Sequence, residues 1–144
     1  MARCSPRCGR NCRPDLRVVP DVDLDLQLAS PGRPATARRP DLIVVTAQEF
    51  ARVDVEGGLL RAEATVVVVE VLSPGSHRTD QILKRTDYAD AGIGHFWIVD
   101  TEPPVSIVAC TRAGRSGYRD DGPVTGVFDA CDPFPVRIDL DALI

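Results

Sequence analysis

Val66-Val67-Val68-Val69-Glu70-Val71-Leu72-Ser73-Pro74 is the stretch that fixes how this chain reads. Four consecutive β-branched residues hold χ1 stiffly and favour extended backbone. A run apolar on both faces is the pattern of a central strand covered on both sides, and Ser73-Pro74-Gly75-Ser76 then breaks it. One carboxylate, Glu70, stands in this run. Burying an unpaired carboxylate costs several kcal/mol or forces it to take up a proton, so Glu70 asks for a partner. Asp41, between Pro40 and the apolar run Leu42 to Val45, offers one. Two carboxylates at the ends of neighbouring strands could share a hard divalent cation bound through oxygen.

Working outward, Val22, Leu24, Leu26 and Leu28 alternate with Asp21, Asp23 and Asp25. This predicts a half-buried antiparallel strand with a solvated acidic face. Gln48 to Val53 reads as a short helical turn. Thr79 or Asp80 caps a helix that runs to about Ala91 and stops at Gly92. His95 to Asp100 is a further buried strand. Val105 to Cys110, Gly117 to Arg119 and Val136 to Leu140 read as antiparallel edge strands between Gly- and Pro-rich turns. Three strands, a helix, then more strands predict an α/β (α+β) fold built on a mixed β-sheet with a helix crossover. Residues 1–14 read as an irregular basic Cys/Arg tail and residues 15–144 as one domain.

The 144 residues suffice for one core. A net charge of -4 leaves no global basic field, so a nucleic acid would have to be held by a local patch or through a metal. No apolar stretch approaches the roughly 20 residues of a spanning helix, and no apolar segment follows the basic start as in a secretory signal. The expectation is a cytoplasmic protein with no membrane association. Cys4, Cys8 and Cys12 lack a second ligand pair at zinc-site spacing. The odd count of five cysteines argues against a disulfide framework. A zinc-binding or redox role for this tail is the least favoured reading.

Four side chains can gather around Glu70. Asp41 opens one strand, and Asp80, Lys84 and Tyr88 recur every fourth residue along one helix face. Phosphodiester hydrolysis uses such a set: carboxylates hold Mg²⁺ or Mn²⁺, and a lysine offsets charge developing on the phosphate. Each residue also has a plainer reading. Asp41 suits a turn after proline, Glu70 an edge or ion-paired position, Asp80 a helix cap, Asp80 with Lys84 a solvated ion pair, and Tyr88 packing.

The ordered blocks Arg39-Pro40-Asp41-Leu42-Ile43-Val44-Val45, Val68-Val69-Glu70-Val71-Leu72-Ser73-Pro74, Asp80…Lys84…Tyr88-Ala89 and Phe96-Trp97-Ile98-Val99-Asp100 resemble the Uma-type restriction endonuclease family of the PD-(D/E)xK nuclease superfamily. The similarity runs from about Leu16 to Ile144. It implies a restriction-endonuclease-like fold and Mg²⁺-dependent (or Mn²⁺-dependent) hydrolysis of DNA phosphodiesters, with Asp41 and Glu70 as metal ligands and Lys84 as the catalytic lysine. Asp80 and Tyr88 would support them. The superfamily places a lysine two residues after the second acid, where this chain has Leu72; family members offer a helix lysine instead, at the place of Lys84. Residues 1–14 resemble no part of that family, whose members carry helices ahead of the first strand, so the domain is expected to be N-terminally truncated. The alternative is a catalytically incompetent remnant or interaction module of the same fold. Nucleases that cut both strands often act as homodimers, and a homodimer is the expected assembly. Arg78, Lys84, Arg85 and Arg119 suffice for phosphate contact only, with no helix built for base readout.

Overall fold

A computed structural model of the chain describes residues 14–30, 32, 36–74, 78–114 and 117–143, with the side chains of residues 78–80 excepted. The expected tail at residues 1–14 lies outside the described residues apart from Pro14. In chain order the elements are β1 (Leu16–Pro20), β2 (Leu24–Asp25), β3 (Ala37–Arg38), β4 (Leu42–Thr46), α1 (Ala47–Glu56), β5 (Leu60–Arg61), β6 (Thr65–Leu72), α2 (Arg78–Asp90), β7 (His95–Asp100), β8 (Ser106–Arg112), β9 (Tyr118–Arg119), β10 (Val124–Thr125), β11 (Val127–Ala130) and β12 (Val136–Asp139). The main sheet has the order β1-β4-β6-β7-β8-β10, with β9 also paired to β8. The valine strand β6 is central. It runs antiparallel to β4 and parallel to β7, and α2 makes the crossover between β6 and β7. This is the mixed sheet with a helix crossover that the order of elements predicts.

Alternation along the strands sorts their side chains onto two faces. Ile43, Val45, Val68 and Phe96 join Tyr88, Ala89 and Ile93 around α2, together with Leu24 and Leu60 from the small sheet β3-β2-β5 and Leu26 just beyond β2. Val44, Val67, Val69, Trp97 and Ile107 pack on the other side with Phe128, Val136 and Leu140, so the hairpin β11–β12 covers that face. Both faces of β4, β6 and β7 are covered, which is why these strands read as continuous apolar runs. By the same parity Asp41 and Glu70 fall on the α2 side of the sheet.

Three local expectations change. The single alternating strand over Val22 to Leu28 is divided: β1 ends at Pro20, and Asp21 takes a left-handed φ of 51°. Its amide donates to the Asp41 carbonyl at 3.1 Å. The chain turns off the main sheet there, and Leu24 and Leu26 become fully buried over it rather than extending β1. The helical turn near Gln48 is a ten-residue helix. Thr46 Oγ1 accepts the Glu49 amide at its start, and the Gly57 amide closes its end on Val53 O, two caps that stabilise a weakly apolar sequence. The cysteine expectation fails at Cys131, which is disulfide-bonded. A parity count weighs the compartment and says nothing of which sulfurs meet in space. Cys110 is free and buried, and burial pushes its thiol up to about 11, so it stays protonated and inert near neutrality.

Gly92 ends α2 as expected, with φ 80° and its amide on Ala89 O. A Cβ there meets no atom within 4 Å, so the cost of Gly92→Ala is conformational. It should be about 1 kcal/mol, or roughly 3 °C in Tm for a domain of this size, as read by thermal denaturation.

Candidate active site

Glu70 is the centre of the site. It follows Val69 in β6, lies opposite Ile98 of β7, and is 7% exposed. Leu42 pairs with Val69 in the antiparallel β4–β6 ladder, which puts Asp41 opposite Glu70, one step beyond the last paired residues. Asp41 is exposed, and its Oδ2 accepts the Val71 amide at 2.7 Å. That bond holds the carboxylate beside the strand carrying Glu70. Asp41 thus serves the backbone of the neighbouring strand and stands opposite the second acid.

Helix α2 supplies the other two groups. Tyr88 Oη donates to Glu70 Oε1 at 2.6 Å, and Lys84 Nζ lies 3.4 Å from Oε2. Residues four apart on a helix share a face, so a single face of α2 reaches both oxygens of one carboxylate. Tyr88 is fully buried, and its ring meets Phe96 edge-on at 5.2 Å. A buried phenol needs a hydrogen-bond acceptor, and a buried carboxylate needs donors; each meets the other's requirement. Burial pushes the Glu70 carboxyl above the usual range. The Tyr88 hydrogen bond and the Lys84 charge pull it down, and the Asp41 charge pushes it up again. The net direction is upward, and a nearby cation would reverse it.

Glu70, Leu72, Gln81, Lys84, Phe96 and Ile98 line a cavity of about 40 Å³ beside these groups. It has room for a small ion or a few waters and none for a nucleotide. Leu72 occupies the place of the strand lysine and only helps to wall this space. Gln81 went unread in the sequence, although its place three residues before Lys84 puts it on the same helix face. Asp80 belongs to α2, but its side chain lies outside the described residues, so its expected pairing with Lys84 falls there too. Among the described residues no group of three or more His, Cys, Asp or Glu side chains could hold a metal ion, and no helix is long and apolar enough to cross a membrane.

A second acidic centre was also missed. Glu49 in α1 is buried and accepts from Arg52 Nε at 2.6 Å and from Arg61 Nη2 at 3.1 Å. It lies in the helix that leaves the far end of β4 from Asp41, so it belongs to the scaffold. A Glu-x-x-Arg spacing on a helix is a common surface pattern, and nothing local distinguishes this one as buried.

The sequence matches the Uma2 family, described as "Putative restriction endonuclease", over residues 4–139. That match begins inside the segment expected to be a tail. No curated protein matches it. Among solved structures the chain is similar to one titled "putative nuclease belonging to DUF820" from Anabaena variabilis, with a TM-score of 0.55 and 15% identity over 90% of this chain and 68% of that one. At that identity the likeness shows the fold alone, a restriction-endonuclease-like one.

Proposed function

The chain belongs to the Uma2 family, and on that premise we propose that it is a metal-dependent endonuclease hydrolysing DNA phosphodiesters in the cytoplasm, with Asp41, Glu70 and Lys84 as its reacting groups. The observation that carries this reading is the placement of Lys84 Nζ 3.4 Å from Glu70 Oε2. The lysine absent from position 72 is supplied by α2 to the same carboxylate.

The donor set suits Mg²⁺ or Mn²⁺. Asp41 and Glu70 offer hard oxygen atoms, and Mg²⁺ commonly takes one or two protein carboxylates while keeping water and substrate phosphate as its remaining ligands. When bound, such an ion supplies Lewis-acid polarisation of the phosphodiester. The chain's own groups do the rest. Asp41, tethered to the Val71 amide, and Glu70, held from α2, form a rigid pair of acceptors that needs little rearrangement. The Lys84 ammonium offsets negative charge that builds on the phosphoryl oxygens during in-line attack by water. A cut in both strands requires two such sites, which favours a homodimer acting on DNA.

The test is nicking of supercoiled plasmid by the purified chain with Mg²⁺ or Mn²⁺ and with chelator. Metal-dependent nicking is expected, and no nicking under any of these conditions sinks the reading. Lys84→Ala should lower the nicking rate about a hundredfold while leaving Mn²⁺ affinity, measured by calorimetry, equal or tighter. The reason is that the variant removes a cation from Glu70 and leaves the ligand oxygens in place.

A further inference from the structure

We propose that Tyr88 is a positioning residue that fixes the Glu70 carboxylate so that Oε2 alone is presented to a divalent cation. This inference rests on the metal-site reading above and specifies its coordination. Tyr88 is held at three points. Its ring is fully buried against Phe96, its backbone carbonyl accepts the Ile93 amide at 3.2 Å, and its hydroxyl donates to Glu70 Oε1 at 2.6 Å. A group packed in this way cannot retreat when a cation arrives. Bidentate ligation would take Oε1 from the phenol and break a short bond between two buried groups.

Oε2 has a different environment. Its contact with Lys84 is longer, at 3.4 Å, and Lys84 lines the small cavity with Glu70. The short bond therefore fixes one oxygen and the longer contact leaves the other exchangeable. Glu70 would hold a cation through Oε2, and Lys84 would turn its ammonium toward the substrate phosphate. Tyr88 thus acts as an outer partner of the ligand, orienting the carboxylate from α2 without touching substrate. Groups in such positions typically contribute ten- to hundredfold to metal affinity.

The test is Mn²⁺ titration by calorimetry of the wild-type chain, Tyr88→Phe and Tyr118→Phe. Tyr118 is the matched control, because its hydroxyl is also buried and donates to a backbone carbonyl, Ile93 O, at 2.7 Å, away from the carboxylates. Tyr88→Phe should weaken Mn²⁺ binding about tenfold or more, and Tyr118→Phe should leave it within about twofold. Equal weakening by both substitutions, or none by Tyr88→Phe, overturns the inference while leaving the metal site itself standing. If the wild-type chain binds no Mn²⁺, the underlying reading fails and the inference fails with it. Should Tyr88→Phe not fold, a second measurement uses the fact that the chain has two tyrosines. In Tyr118→Phe protein, 3-fluorotyrosine labels position 88 alone. Its ¹⁹F resonance should shift on saturation with Mg²⁺, and an unmoved resonance overturns the proposal.

Discussion

Glu70→Ala should lower metal-dependent plasmid nicking at least about a hundredfold. Two losses combine. The site loses one of its two acidic ligands, and the Tyr88 hydroxyl loses its 2.6 Å hydrogen bond to a carboxylate, a bond worth about 1.5–3 kcal/mol of stability. Glu70→Gln separates these effects. The amide oxygen still accepts from Tyr88 and keeps the side-chain volume, so the fold should be nearly as stable as wild type, while the charge that attracts a cation is gone. Both variants should therefore fail in nicking alike, and only Glu70→Ala should melt several degrees lower. Asp41→Asn is the companion case, since its side-chain oxygen can still accept the Val71 amide while a ligand charge is lost. Nicking that persists at the wild-type rate in Glu70→Gln would remove Glu70 from the chemistry and with it the proposed centre.

The largest stability effect is expected far from the site. The Glu49 side chain is 1% exposed and is bonded by two guanidinium groups, Arg52 and Arg61. Burial pushes its carboxyl up, but the hydrogen bonds and charges of Arg52 and Arg61 outweigh this and hold it below the ordinary range. The sign follows from proton binding. With a folded-state pKa below the unfolded one, the folded chain binds fewer protons in the window between them. The interaction is present above the ordinary carboxylate pKa and is lost as pH falls through the lower folded value. Glu49→Ala removes it at all pH, and should cost about 2–3 kcal/mol at neutral pH, less than a fully sealed pair because both arginines retain some contact with water. Urea denaturation at pH 7 and at acid pH reads both effects. The difference between wild type and variant should shrink toward acid, and a constant difference would mean that Glu49 acts through packing alone.

The legible parts of the fold were those where one residue type leaves little choice. Val66 to Val69 could be little other than a covered strand, and Gly92 was the natural stop for the helix that follows it. Glu70 was legible because a charge in such a strand needs partners. What escaped was decided by contacts distant in sequence. The turn at Asp21 depends on a bond to the Asp41 carbonyl, twenty residues on. Glu49 became a buried charge because Arg61, beyond the next turn, closes over it. Tyr88 was read as packing or as site support. It does pack, and its hydroxyl also reaches Glu70, because a tyrosine can bury its ring and use its tip for hydrogen bonding. Alternation alone could not tell that Leu24 and Leu26 leave the sheet that Val19 belongs to.

The crossover from β6 through α2 to β7 also sets the entropic cost of assembling the site. Glu70 meets Lys84 across 14 residues and Tyr88 across 18, while the Asp41 bond to Val71 closes 30. Loop-closure entropy grows only logarithmically, about 0.6 kcal/mol for each doubling. Joining Asp41 to the cluster is therefore only slightly harder than forming the cluster itself. The four groups come from one contiguous portion of the chain, and they can draw together while the outer strands of the sheet are still being added.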